Sequence, residues 1–175
     1  MKIEITNKIS LDNLPSASGL EIINENLYIV GDDSPFLYLL DFNFKQIDRI
    51  QLFSTNDFSN GRMPKHLKPD LEFLTKLEIE NKKYLFTGGS GSAKGRDKGF
   101  LIELNSYKVT EVSLSGIYNS LKNNQKITGN LVLNIEGLAA TQNQMLFFNR
   151  SNNTIIIYNE TSFLSFIRGL TDINP

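Results

Sequence analysis

The 175 residues contain no cysteine, no tryptophan and a single histidine. Without cysteine there is no disulfide framework, no thiolate metal site and no cysteine nucleophile. One histidine, His66, cannot build a multi-histidine metal centre. Eighteen Lys and Arg against nineteen Asp and Glu leave a formal net charge of -1, so the totals signal no basic face for nucleic acid. No apolar run approaches the roughly 18 residues of a membrane span. The opening residues, Lys2 to Thr6, alternate apolar and polar and lack the unbroken core of a signal peptide. These absences together predict a soluble, cytoplasmic protein, with no nucleic acid and no membrane among its partners. On that reading the glycosylation patterns at Asn149, Asn152 and Asn159 are chance matches in an Asn-rich chain.

What the chain does have is enough apolar residue (40%) for a sizeable core, and an internal repeat. Ser18-Gly19-Leu20, Glu72-Phe73-Leu74 and Glu136-Gly137-Leu138 each open a short apolar strand. A second apolar strand follows each and ends in small or polar residues: Gly31 to Ser34, Gly88 to Gly91, Asn149 to Asn152. Two further strand-like runs close each unit. A repeated unit of about four antiparallel strands is the mark of a β-propeller blade. The pattern predicts an all-β, single-domain partial propeller with blades at about 18–52, 71–114 and 133–167. A lone edge strand over residues 2–6 precedes them. The fourth strand of the last blade is expected at Phe163–Ile167.

The spacing is uneven, at 54 positions between Ser18 and Glu72 and 64 between Glu72 and Glu136. One insert, Ser54 to Asp70, reads as a long loop. The other, Ser115 to Val132, carries Ile117, Tyr118 and Leu121 at helical spacing. Closed propellers have four to eight blades. Three blades with open edges therefore suggest part of a longer ring, or self-association through the open blade edges toward six blades.

As a set, several motifs resemble an uncharacterised family of bacterial propeller proteins, frequent in Bacteroidota and near the esterase-like-phytase and calcium-phytase propellers. They are Ser16 to Glu21, Gly31-Asp32-Asp33-Ser34, Lys68-Pro69-Asp70-Leu71-Glu72, Gly89-Ser90-Gly91-Ser92, Arg96-Asp97 and Asn134 to Leu138. The resemblance covers nearly the whole chain. It implies a closed, six-bladed ring for the longer relatives, and no settled activity.

In a blade of this type the start of the innermost strand lies beside the end of the second. Glu72, Glu136, Asp32, Arg96 and Arg150 are then expected around one end of the central channel, as candidate ligand-binding residues. Glu72, Glu136, Asp32 and Asp33 also offer carboxylate oxygens of the kind Ca²⁺ takes. Capping or bridging between blades is the structural alternative for the two glutamates, and turn formation for the aspartates. A salt bridge to Glu136 or to a neighbouring blade is the alternative for Arg150. Gly88 to Gly95 misses the spacing of a nucleotide phosphate loop, but its amides can cradle an anion with Arg96 as counter-charge. No Gly-x-Ser-x-Gly elbow accompanies His66, which reads as a solvated loop residue. Three functions remain open: a propeller binding a small anionic ligand in its channel, a calcium-assisted ester hydrolase, or an inactive propeller fragment.

Overall fold

The computed structural model describes residues 4–169. Three antiparallel sheets follow one another along the chain. The first is formed by β1 (Ala17–Ile23), β2 (Asn26–Gly31), β3 (Phe36–Leu40) and β4 (Gln46–Gln51), in that spatial order. The second is formed by β5 (Leu71–Ile79), β6 (Lys82–Gly89), β7 (Lys98–Glu103) and β8 (Val109–Ser113), again in order. After α1 (Ser115–Asn123) and α2 (Gln125–Thr128), the third sheet contains β9 (Ile135–Ala140), β10 (Gln144–Asn149) and β11 (Thr154–Asn159). Each sheet is a meander joined by tight turns, and the innermost strands β1, β5 and β9 are neighbours. The architecture is an arc of β-propeller blades, not closed into a ring among the described residues.

Sheet packing explains the long apolar runs. Val30, Leu37 and Leu39 of the first sheet meet Leu74, Leu85 and Phe100 of the second in one buried cluster. The opposite face of the second sheet, with Phe73, Leu77 and Phe86, packs on Leu138, Met145 and Phe147 of the third. The middle sheet is thus apolar on both faces, and its strands read as continuous rather than alternating. Gly19 permits the close approach of the first two sheets. A Cβ there would lie 2.6 Å from the Leu74 amide nitrogen.

Two expectations need correction. The segment around Phe163 is not a fourth strand but α3 (Glu160–Ile167). Short apolar runs do not distinguish helix from strand, and here the local signals favour helix. The Asn159 side chain accepts the Ser162 amide as an N-cap, and Glu160 sits in the first turn. Phe163 and Ile167, four apart, share the buried face, and Phe163 meets Phe86 and Phe147 edge-on with ring centroids 5.6 Å apart. The expected edge strand at residues 2–6 also fails. Residues 4–10 carry no strand, while 2 and 3 lie outside the described residues. Instead Leu11 and Leu14 cover Leu27, Ile29 and Tyr38 on the outer face of the first sheet. The helix expected in the second insert is present as α1, with Ile117, Tyr118 and Leu121 buried. No helix among the described residues is long and apolar enough to cross a membrane.

Candidate functional site

The three repeat positions have a common structural cause. In β1, Ala17 pairs with Gly31 and Gly19 with Val30, leaving Ser18 as an extra residue. In β5, Leu71 pairs with Gly89 and Phe73 with Gly88, leaving Glu72. In β9, Ile135 pairs with Asn149 and Gly137 with Phe148, leaving Glu136. Each blade therefore has a β-bulge at the same point of its innermost strand. A bulge re-aims the side chain it releases from the pleat, and here it delivers Glu72 and Glu136 to one end of the arc.

A belt of backbone hydrogen bonds fixes this rim. The Asp32 amide donates to the Ser16 carbonyl, and the Asp70 amide donates to the Asp32 carbonyl. The Ser90 amide then donates to Asp70, Ile135 to Ser90, and Arg150 to Asn134. The belt crosses both blade boundaries with N···O distances of 2.9–3.1 Å. Residues far apart in sequence are held in register by main-chain contacts before any side chain contributes.

Above the belt lies a cavity of about 490 Å³. The first blade supplies Asp32, the second Glu72 and Arg96, and the third Glu136 and Arg150. All five expected ligand-binding residues therefore meet in one place. Asp33 does not join them. It is buried beside the Ser16 hydroxyl at 3.1 Å, with Arg62 at 3.7 Å. Adjacent positions in a turn diverge, so one aspartate enters the cavity and the next anchors the long loop. His66 is exposed and does not line the cavity.

Two residues that the sequence reading did not select are central. Lys68 and Asp70 close the long insert just before β5. The Lys68 ammonium contacts Asp32 and lies 2.7 Å from Asp70. Asp70 is buried, receives the Ser90 hydroxyl at 2.5 Å and pairs with Arg96 at 2.9 Å. Burial alone would raise its carboxyl pKa. The hydrogen bonds from Lys68 and Ser90, with the charges of Lys68 and Arg96, outweigh burial and hold it below the usual range. Lys68 is the mirror case. Burial disfavours its charge, but its two aspartate partners prevail and keep the ammonium protonated beyond its ordinary range. Asp70 has φ of 58°, a left-handed conformation that Asp tolerates better than most residues. The signal available in sequence was the Lys68-Pro69-Asp70 run abutting Glu72.

Glu72 is different. It is half-buried, and no side-chain hydrogen bond satisfies it among the described residues. Burial, then the charges of Asp70, Glu136 and Asp32, push its pKa up to about 8, against a smaller opposing effect of Lys68. Near neutral pH it is largely a protonated carboxylic acid, able to donate a hydrogen bond. Glu136 accepts from the Asn134 amide group at 2.7 Å and from Arg150 at 3.2 Å, so the salt bridge considered as the alternative for Arg150 does form.

The glycine-rich loop is braced from behind. The Tyr118 hydroxyl of α1 donates to the Gly89 carbonyl at 2.7 Å, and its ring lies under Gly91, whose φ is +71°. Arg96 returns from the far side of this loop to reach Asp70 and the Ser92 hydroxyl, both at 2.9 Å and both through Nη1. The loop thus turns Arg96 back toward the rim, while its Ser90, Gly91 and Ser92 amides donate to the Asp70 carbonyl, the Arg96 carbonyl and the Ser90 hydroxyl.

For metal binding, Asp32, Asp70 and Glu72 each offer an oxygen within 4.8 Å of the others. Glu136 lines the same cavity but stands outside that trio, and Asp33 is elsewhere. Lys68 already supplies a positive charge between Asp32 and Asp70. A divalent ion would have to displace that ammonium and take the proton from Glu72.

With this geometry in place, comparison with known proteins gives one assignment. A profile described as a family of unknown function, DUF6929, matches residues 13–175. The chain belongs to that family. Membership attaches no phytase or esterase activity to it, and the phytase-like resemblance is not supported beyond the fold. No curated protein matches. Among solved structures, the chain is similar to the β-propeller domain of Cps50 (Swd1) from Myceliophteria thermophila. Identity is 12% and the TM-score 0.44, over 89% of this chain and 41% of that one. The chain therefore spans about two fifths of that structure.

Proposed function

We propose that this DUF6929 chain is a binding module that takes a small anionic ligand at the rim cavity. The charge balance of the cavity carries the reading. Lys68, Arg96 and Arg150 face Asp32, Asp70 and Glu136, three cations against three carboxylates, with Glu72 neutral near pH 7. Arg96 and Arg150 each commit only Nη1 to the side-chain contacts described above. Their remaining N–H groups and the Glu72 carboxylic acid are donors suited to an oxyanion. An anion seated there disfavours ionisation of Glu72 still further, so binding is coupled to proton uptake.

The trio of oxygens around Asp32 favours a second reading, a Ca²⁺ site, with ester hydrolysis as its extension. It is the weaker one, because the ion competes with Lys68 and with the Glu72 proton. Calorimetric titration with sulfate, whose charge is constant over the range, and separately with Ca²⁺ separates the two. The anion reading expects sulfate to bind at pH 6.5 with almost no proton exchange, because Glu72 is already protonated there, to bind with proton uptake near pH 8.5, and to weaken by pH 9.5. The cation reading expects Ca²⁺ to bind with proton release, more tightly as pH rises, and to lose affinity in Glu72→Gln. Heat from neither ligand at either pH overturns both.

A further inference from the structure

A second cavity lies away from the rim, on the outer part of the first blade. Its volume is about 850 Å³, within the range of small-molecule sites. The segment Leu11–Pro15 forms one wall, and the long loop supplies the other through Phe58, Asn60 and Arg62. Between them β4 presents Arg49, and Tyr38 of β3 lies buried beneath. The rim cavity takes no residue from this set.

Arg49 is the informative residue. Its guanidinium carbon sits 4.5 Å from the centroid of the Phe36 ring, and it makes no ion pair with any carboxylate among the described residues. The ring holds the guanidinium by a cation–π contact that leaves its in-plane donors unspent. Phe58 meets the same ring edge-on, with centroids 5.4 Å apart and planes at 80°. That contact ties the long loop to the strand carrying Phe36. Arg62 adds a second positive charge. Its pairing with Asp33 is long, at 3.7 Å, and its side chain is 65% exposed. Asp12 is the single carboxylate lining the cavity. Two arginines, amide side chains and the half-buried apolar side chains of Leu14 and Phe58 thus share one cleft.

The geometry points to a binding site for a small organic anion, an oxyanion on a flat apolar body, held by Arg49 and Arg62 in the cleft between the Leu11–Pro15 segment and the long loop. The oxyanion takes the guanidinium donors, and the flat body lies along the apolar wall. An oxyanion without that body gains only the first contact. An aromatic phosphate is therefore preferred over inorganic phosphate.

The test is titration of ¹⁵N-labelled protein with phenyl phosphate, and with inorganic phosphate as control, followed by amide chemical shifts. Saturable shifts are expected at Leu11, Asn13, Arg49 and Asn60, with phenyl phosphate binding several-fold more tightly than inorganic phosphate. Arg49→Gln is expected to weaken phenyl phosphate binding about tenfold. Arg49 is exposed, and an unchanged amide spectrum elsewhere confirms that the variant is folded. Phe58→Ala is expected to narrow the preference for the aromatic probe. Glu72→Gln, which alters the rim, is expected to leave this binding unchanged, so failure at one cavity is distinguishable from failure at the other. The inference is overturned if shifts gather at Glu72, Glu136 and Arg150 instead. Equal affinity of wild type and Arg49→Gln, or no saturation with either probe, overturns it as well.

Discussion

Replacing Glu72 by glutamine should stabilise the folded chain at alkaline pH and leave it nearly unchanged in acid. The carboxyl titrates near about 8 in the folded state, against 4.5 as its ordinary value. Below 4.5 both states hold the proton and the group is neutral to stability. Between 4.5 and 8 the unfolded chain has lost the proton while the folded chain retains it. The folded state then binds more protons, so stability falls as pH rises, and the loss is complete above about 8. At about 1.4 kcal/mol per pH unit, the upper bound is about 5 kcal/mol. Glu72 is only half-buried, and solvent screening reduces that to about 2 kcal/mol. Glutamine mimics the protonated acid without the titration. Thermal unfolding of both proteins from pH 4.5 to 9.5 is the assay. Equal melting temperatures are expected near pH 5, with the variant about 4–8 °C higher at pH 9. Parallel curves over the whole range would refute the reasoning. They would mean that Glu72 ionises freely, and that the carboxylates around it do not set its charge.

Three further outcomes follow from the same geometry. Asp70→Asn removes the shared partner of Lys68 and Arg96 from a buried position. It should destabilise by about 3 kcal/mol in chemical denaturation at pH 7; because the native carboxyl is held low, the difference should shrink as pH falls through the acid range. Gly89→Ala places a methyl 2.5 Å from the Pro69 carbonyl oxygen and 2.6 Å from that of Arg96, both main chain. A loss of about 2 kcal/mol is expected, and a stability equal to wild type would show that the rim backbone yields. Leu20 and Ile22 on the first sheet, with Phe148, Ile155 and Ile157 on the third, leave apolar side chains open to solvent. Sedimentation is expected to show concentration-dependent association, weakened by Phe148→Ser with Ile157→Thr; a mass independent of concentration counts against it.

The strand order of the first two blades was legible in sequence because each strand is a short apolar run bounded by turn residues, a signal contained within a few positions. The register of Ser18, Glu72 and Glu136 was legible for a similar reason, since a repeated unit places equivalent residues at equivalent points of the fold. Convergence of Asp32, Glu72, Arg96, Glu136 and Arg150 followed from that register. Tertiary structure decided the rest. The apolar run Phe163–Ile167 left strand or helix open; the Asn159 cap is a local signal for helix, and the packing of Phe163 against Phe86 and Phe147 is the tertiary contribution. Lys68 and Asp70 come from an insert with no periodicity, and only the belt through Asp32, Asp70 and Ser90 brings them to the rim. Asp32 and Asp33 are alike in sequence, but one meets Lys68 and the other Ser16 and Arg62. The bulges themselves required the pairing partner, because a bulge is a mismatch between two strands and neither strand shows it alone. Local pattern set which residues could share the rim, and long-range backbone contacts set which charges meet there and which carboxyl keeps its proton.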